Sequence, residues 1–516
     1  MLRPLPSMSF FALKRGPLGT VIDLRSDNTI FEKIRQDGKK LGLCHGVFDL
    51  LHPGHITHFE FARRYADVLI VSVTKDEFVK KGPSRPYFAL EERIRFLKNI
   101  KLIDFVVVSP EETAVSIIET VRPDFYFKGS EYKDSSKDYT GNISIEEQAV
   151  SRCGGRIVFT DGFNSSSSAL INKALSDFPS NTQKWLDEFR KKFTANQIYS
   201  SLDKISELKV TLIGETILDK YTEVDALSKT SKHPILAFHI RKTEIFGGGI
   251  LAIQDNISTW VKSVDVITSQ ASDGLTSFLE AAPKNTFFHH VTNPSPAITK
   301  HRYIDRGTNQ KLFETYDFDP NYFQQNHDFG LSLTSTVSSA DVVLIADYGH
   351  GMLTESMIPV ITRDAKYLCV NVQANAGNRG FNTVEKYPQV NFFTANSGEL
   401  QIQSRSMYPD YYKLMGELIS KKGADYALMT DGERGLSVFH NGTHCNAPAL
   451  ASKVVDKVGA GDSVFAISSL LARVDTHIEI IAFLSNLVAA NEVLFRGHSK
   501  HVKLSELKKQ VKAILA

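Results

Sequence analysis

The residues Gly46-Val-Phe-Asp-Leu-Leu-His52-Pro-Gly-His55 have types and spacing suited to chemistry on a phosphate. Gly54 lets the backbone approach an anion, and a helix opening near His55 offers N–H groups and the positive end of its dipole. His52 and His55, three residues apart, can both donate to the oxygens of an α-phosphate in its crowded transition state. Val47, Phe48 and Asp49 shape the turn that leads to them. A second reading places one metal on His52, His55 and His58. It is opposed by the position of His52, which precedes the glycine turn that the other two follow. Near the other end of the chain, Val455-Asp-Lys-Val-Gly-Ala-Gly-Asp462 sets Gly459, Ala460 and Gly461 at a second helix start. Small residues there form an anion hole, and Asp462 at its mouth can take the proton of an attacking hydroxyl. The plainer reading is a glycine turn capped by an aspartate.

The segments around these turns alternate short β-branched runs with helical stretches, as a parallel sheet covered on both faces requires. In the first half, strands are expected at Leu41–His45, Asp67–Thr74, Phe105–Ser109, Phe125–Lys128 and Arg156–Thr160, with helices at His55–Ala66, Leu90–Asn99 and Glu111–Val121. A second α/β series opens at Lys209–Gly214 and continues through 264–267, 341–346, 367–372, 392–395 and 426–430. The expected fold class is therefore α/β throughout. The expected order is an N-terminal extension (1–38), a Rossmann-like domain (39–176), a helical connector (177–207) and a second α/β domain (208–516).

The whole chain has 516 residues, 42% of them hydrophobic and 23% charged, with a formal net charge of +2. That length calls for at least two cores. The charge balance argues against nucleic acid or an anionic membrane as partner. No apolar run approaches the ~18 residues of a membrane-spanning helix. The four cysteines show no metal or disulfide spacing, which suits a reducing cytoplasm. The basic residues of the first 39 positions admit a targeting peptide, but Lys14 interrupts their apolar stretch, which favours a short ordered extension.

Residues 41–170 resemble the cytidylyltransferase-like nucleotidyltransferases, marked by GxFDxxHxGH. The resemblance implies CTP or ATP as substrate, with Mg²⁺. It implies that Lys80 or Lys81 and Arg85, in Lys80-Lys-Gly-Pro-Ser-Arg85, close over the phosphates. Arg93 matches the family's helix arginine, and Lys128-Gly129 lies in the segment that contacts base and substrate. Thr160 and Ser165, Ser166 and Ser167 belong to the loop that holds the triphosphate, although Asn164 interrupts its usual register. By the same resemblance Gly46 belongs to the nucleotide site.

Residues from Lys209 to about Gly497 resemble the ribokinase-like (PfkB) carbohydrate kinases. Asp456–Asp462 matches DTxGAGD with Lys457 in place of Thr, which implies Asp462 as general base and ATP as phosphoryl donor. Asp219, Gly247 and Gly248 match the sugar-binding elements. Asn396 and Glu399 match the NxxE element that organises Mg²⁺, and Thr430, Gly432 and Gly435 match the turn beside the nucleotide. Asp347-Tyr-Gly-His-Gly351 is similar to the DYGKG of heptose-phosphate kinases. Two departures alter the sugar pocket: no Asn follows Gly249, and Asn371-Val-Gln373 stands where those kinases carry Asp-Pro-Lys. The basic stretch Lys300–Arg306 admits two readings, a substrate-phosphate site or a solvated strand face.

The pairing resembles the bifunctional heptose-phosphate kinase/nucleotidyltransferases of surface polysaccharide synthesis, in reversed order. It implies a bifunctional enzyme acting on sugar phosphates and nucleotides, and by resemblance to ribokinase-like domains a homo-oligomer, such as a dimer. The alternatives are a nucleotidyltransferase whose kinase-like domain only dimerises or senses a ligand, and a non-catalytic sugar-nucleotide sensor.

Overall fold

The computed structural model describes residues 20–22, 29–82, 85–129, 142–160, 178–269, 275–290, 298–319, 331–497 and 500–515. They form two compact units, Met1–Ser176 with Lys508–Ala516, and Asp177–Leu507. The last residues of the chain thus fall in the first unit, where the sequence places them in the second.

The first unit is built on six strands: β1 (Thr20–Ile22), β2 (Leu41–Gly46), β3 (Val68–Thr74), β4 (Phe105–Ser109), β5 (Phe125–Gly129) and β6 (Arg156–Thr160). Their order is β1-β4-β3-β2-β5-β6, and every neighbouring pair is parallel. All seven residues of β3 are buried, because helices cover both faces. Phe31, Ile117, Ile118, Val121, Ala149 and Val150 from three helices pack on one face. Phe59, Ala62 and Leu97 from the helices Pro53–Arg63 and Leu90–Lys98 pack on the other. The chain leaves β2 toward β3 on one side, while β5 lies on the other side. This makes the carboxyl ends of β2 and β5 the topological switch point, where such sheets bind ligands. The short strand β1 and the helix Thr29–Gln36 give part of the extension a structural place, and Phe31 is fully buried in the core.

The second unit has a nine-stranded sheet. Its strands are β7 (Lys209–Gly214), β10 (Ser263–Thr268), β11 (Thr286–His290), β14 (Val342–Asp347), β15 (Leu368–Val372), β16 (Phe392–Asn396), β17 (Tyr426–Thr430), β18 (Leu436–His440) and β19 (Thr443–Ala447). The order is β11-β10-β7-β14-β15-β16-β17-β18-β19, parallel except for β18 against its two neighbours. Here the switch point lies between β7 and β14. A separate sheet of order β13-β12-β8-β9 comprises β8 (Thr216–Lys229), β9 (Leu236–Gly249), β12 (Ile298–Asp305) and β13 (Lys311–Asp317). The helices Ser180–Lys192 and Ala195–Ile205 also belong to this unit. Phe189 stacks on Phe483 of the helix Ile478–Glu492 with ring centroids 4.6 Å apart.

At the switch point a Cβ on Gly214 would overlap the carbonyl oxygen of Ala346, its register partner on β14. Gly214→Ala is expected to cost about 2–3 kcal/mol by forcing these strands apart. Chemical denaturation of the second unit checks this, and a loss below ~0.5 kcal/mol would mean that the strand ends yield freely.

Candidate active sites

In the first unit, His52 caps the helix Pro53–Arg63, and its Nδ1 accepts from the N–H of Gly54 at 3.1 Å. The N–H of His52 in turn donates to Nδ1 of His55 at 3.3 Å, and the two rings lie 4.0 Å apart. With both Nδ1 atoms accepting, each neutral ring carries its proton on Nε2. Burial, then the charges of His52, Lys81 and His58, pushes the His55 pKa down to about 3. Burial and Lys81 lower that of His52 as well. The pair is therefore two neutral N–H donors at physiological pH, their rings tilted against each other across the first helical turn. Phe48 adopts φ of 52° to turn the chain into the helix, and its ring packs edge-on to His55. Gly46 leaves that ring its place, since a Cβ there would lie 3.3 Å from it.

The basic residues divide into two groups. Asp49 is buried and accepts the N–H groups of Tyr87 and Phe88, each at 2.9 Å, with Arg85 at 3.4 Å. It thereby ties the end of the basic segment to the histidine turn. Lys81 lies within reach of Asp49, Arg85 and Arg93, and burial lowers its pKa. The charge of Lys81, adjacent to Lys80, bears on both imidazoles. Arg93 is fully buried. It donates to the carbonyls of Phe88, Val47 and Thr74 and pairs with Asp76, so its guanidinium braces the loops beneath the site. Lys128 pairs with buried Glu146 at 2.7 Å. Thr160 lies opposite Gly129 in register, donates to the Lys128 carbonyl, and its hydroxyl meets His58 Nδ1 at 2.9 Å. His58 thus joins the helix to β6. Ser165, Ser166 and Ser167 lie outside the described residues.

In the second unit, Gly459 takes φ of 87° at the N-terminal end of the helix Ala460–Arg473. A Cβ at Gly461 would meet nothing within 4 Å, so the helix mouth is open. Asp462, half-buried in the first turn, receives the side-chain amide of Asn371 at 3.4 Å. Burial and then the Asp462 carboxylate raise the Tyr348 hydroxyl far above its ordinary pKa, which keeps it a proton donor. Asn371 stands at one of the departures from the heptose kinases and is a direct neighbour of Asp462. Asn396 caps the helix Ser397–Ser404 reciprocally with Glu399, whose other oxygen accepts from the Ala374 N–H. Thr430 ends β17, and the turn Gly432–Arg434 follows. Gly435, at φ of 100°, could not carry a Cβ without overlapping the carbonyl of Ala447. Lys457 extends outward to Glu433 at 3.1 Å, an exposed pair of little energetic weight.

Asp456, the first residue of the same motif, binds Tyr221 on β8 at 3.0 Å and Lys311 on β13 at 2.6 Å, joining the small sheet to the anion hole. Within the small sheet, Asp219 pairs with buried Arg302, and Gly248 passes so close that a Cβ would overlap Asp219 Oδ2. Gly247 packs on Leu251 and Phe278. Strand β12 alternates buried and half-buried residues, and Lys300 and Arg302 occupy its buried face. This overturns the solvated-face reading for both. Lys300 sits over the rings of Tyr316 and Tyr348, at 5.5 and 5.7 Å. Among the described residues no carboxylate forms an ion pair with it, while Asp219, Asp462 and Glu215 act on it through space. Glu215, buried at the switch point, accepts the N–H groups of Tyr348 and His350 at 3.0 and 3.1 Å.

Sequence reasoning did not single out Tyr348 or Glu215, and it left Lys300 between a substrate-phosphate site and a solvated strand face. Tyr348 and Glu215 lie inside motifs already singled out, and alternation along 298–305 was the available signal for Lys300.

A cytidylyltransferase-like family model matches residues 43–173, and the pfkB family carbohydrate kinase model matches residues 209–499, more than half of the chain. Among curated relatives, Bifunctional protein HldE of Syntrophotalea carbinolica is 35% identical over 150 residues, covering 29% of each chain. HldE of Gluconobacter oxydans is 30% identical over 164 residues, covering 31% of this chain and 33% of the relative. The chain thus matches about a third of the length of these relatives. Among solved structures, phosphofructokinase-2 mutant Y23D from Escherichia coli aligns with 60% of this chain and 99% of its own, at 13% identity and TM-score 0.48. A ribokinase from Thermotoga maritima aligns over the same shares at 16% identity and TM-score 0.44.

Burial pushes the Glu399 carboxyl up to about 7, Asp462 adding to the shift and the Asn396 and Ala374 N–H groups opposing it. The folded state therefore holds a proton that the unfolded chain releases near its ordinary pKa of 4.5. The resulting stability is full below about pH 4.5 and is lost as pH rises through about 7. Glu399→Gln keeps the cap and is expected to flatten this slope. Thermal midpoints of ligand-free protein between pH 5 and 8 check it; an unchanged slope contradicts the assigned protonation.

Proposed function

The chain belongs to the pfkB family of carbohydrate kinases, and from that premise we propose a bifunctional enzyme. The second unit phosphorylates a sugar or sugar phosphate with ATP, and the first couples a phosphorylated sugar or polyol to a nucleotide from CTP or ATP. One observation carries this reading. In the first unit the helix start at the switch point carries His52 and His55, and in the second a glycine-rich helix start carries Asp462 beside Asn371 of β15 and Tyr348, which follows β14.

In the kinase, Asp462 takes the proton of the attacking hydroxyl as its oxygen bonds to the γ-phosphorus and ADP leaves. The N–H groups at the start of the helix Ala460–Arg473 receive the charge of the transferred group. Glu399 fits an Mg²⁺ role, since its carboxylate lies at a helix start close enough to feel Asp462 and has lone pairs beyond the two N–H bonds it accepts. When bound, the ion neutralises charge on the nucleotide phosphates. In the transferase, a substrate phosphate oxygen attacks the α-phosphorus and pyrophosphate leaves. The Nε2–H groups of His52 and His55 donate to the α-phosphate, with Lys81 and Arg85 supplying positive charge.

Lys300 favours a sugar phosphate over a neutral sugar as the kinase substrate, because it is a buried cation caged by rings beside Asp219 and Asp462. Exposed Ile235, Leu236, Ile240, Ile245, Leu312 and Phe313 on β9, β13 and the turn before β9 support a homo-oligomer. The four free thiols accord with a cytoplasmic setting, and no described helix is long and apolar enough to cross a membrane. Surface polysaccharide synthesis is the route that such products would feed.

Asp462→Asn is expected to abolish ADP release while sparing pyrophosphate release, and His55→Ala to do the reverse. Loss of both activities in either folded variant would refute two independent sites. A wild-type chain that releases pyrophosphate and never ADP, across a panel of sugars and sugar phosphates, would establish the monofunctional alternative. Lys300→Met should raise KM for a sugar phosphate by roughly tenfold, with KM for ATP unchanged. Equal KM values in the two proteins would remove Lys300 from the substrate site.

A further inference from the structure

The C-terminal helix, Leu504–Leu515, supplies the last residues of the chain to the first unit. Its apolar positions there are well covered, with Val511 fully buried and Ala513 and Ile514 nearly so. Lys509 pairs with Glu112 at 3.3 Å, which fixes the helix against this unit. Two further side chains face the basic segment beside the histidine turn. Ile514 lies directly over Gly82, since a Cβ on that glycine would be 3.8 Å from Ile514 Cδ1. Lys512 lies close enough for its charge to bear on Lys81, whose own charge bears on His52 and His55.

This arrangement has a physical cost that a merely structural helix would avoid. Lys81 already shares its surroundings with Arg85 and Arg93, and Lys512 brings a fourth cation to them. Asp49 acts on Lys81 with the opposite sign. Like charges gathered beside a helix N-terminus are unfavourable until an anion arrives, and a polyphosphate resolves the repulsion. Ile514 contributes differently. It closes the side of a glycine whose backbone would otherwise sample many conformations, and so holds the Lys81 backbone in register with the histidines.

We propose that the C-terminal segment Lys508–Leu515 is a working part of the nucleotidyl-transfer site, Ile514 bracing the Lys81–Gly82 backbone and Lys512 adding positive potential for the nucleotide's β- and γ-phosphates. This rests on the nucleotidyltransferase reading of the first unit. Lys512 and Ile514 are positioning residues; the reacting atoms are left to His52, His55 and the substrates.

The test uses the full-length chain with Lys512→Ala, Lys512→Arg and Ile514→Ala. Lys512→Ala is expected to raise KM for the nucleoside triphosphate by roughly five- to tenfold with kcat nearly unchanged, Lys512→Arg to restore it, and ADP release to stay at the wild-type rate. Ile514→Ala is expected to speed backbone hydrogen exchange at Val79–Gly82 in the absence of nucleotide. Unchanged exchange in Ile514→Ala, or a triphosphate KM within twofold of wild type in Lys512→Ala, would overturn the proposal. Inorganic tripolyphosphate, titrated calorimetrically, separates the two levels. If wild type binds it and Lys512→Ala binds it more weakly, while no nucleotide yields pyrophosphate, the polyphosphate role of the helix stands and the transferase reading falls. Equal binding by the two proteins would remove Lys512 from the site.

Discussion

Parallel strands that end together leave the loops beyond them with backbone N–H groups that must find acceptors in a place largely closed to water. Both units meet this constraint with a buried carboxylate. In the first, Asp49 accepts the N–H groups of Tyr87 and Phe88; in the second, Glu215 accepts those of Tyr348 and His350. Each carboxylate holds one crossing loop against the neighbouring strand end. The basic segment therefore stands over the histidine turn, and Tyr348 stands beside Asp462. An unpaired N–H at such a position costs about 1–3 kcal/mol, which makes these acceptors a condition of the sites existing at all.

The same economy separates charges that hold structure from charges available to a ligand. Arg93 and Asp347 carry conspicuous charges, but partners surround them. Arg93 meets three carbonyls and Asp76, and Asp347 meets Lys386, Tyr387 and Asn382. Lys300 is buried over aromatic rings, and the two histidines use Nδ1 within the turn, with no acceptor for Nε2 among the described residues. Desolvation holds the histidines neutral, so they act by donating hydrogen bonds and leave the bulk of the positive charge to the lysines and Arg85.

Much of the sheet architecture was legible in the sequence, because strands buried on both faces read as unbroken apolar runs. Val68–Thr74 and Val342–Asp347 are examples, with every residue buried. The small sheet was not legible. Its strand β12 reads Ile-Thr-Lys-His-Arg-Tyr-Ile-Asp, and the buried members of its alternation include Lys300 and Arg302, which hydropathy assigns to solvent. Burial there depends on Asp219 and on tyrosine rings from other elements, of which Tyr316, on the adjoining strand β13, is the nearest in sequence. The edge strand β1 has three residues, too few for any periodicity to register.

By itself the sequence determined the two reactive sets, because both are local: a glycine turn, a helix start and side chains within one turn of it. Tertiary structure decided which cations stand near them. The charge of Lys81 bears on His52 and His55, Arg93 is held by carbonyls, and the charge of Lys512 bears on Lys81 from the far end of the chain. The physical reason is range. Helix capping and backbone turns are fixed by neighbours a few residues away, whereas the field and the desolvation at a charged group are set by whatever the fold brings within several ångströms of it.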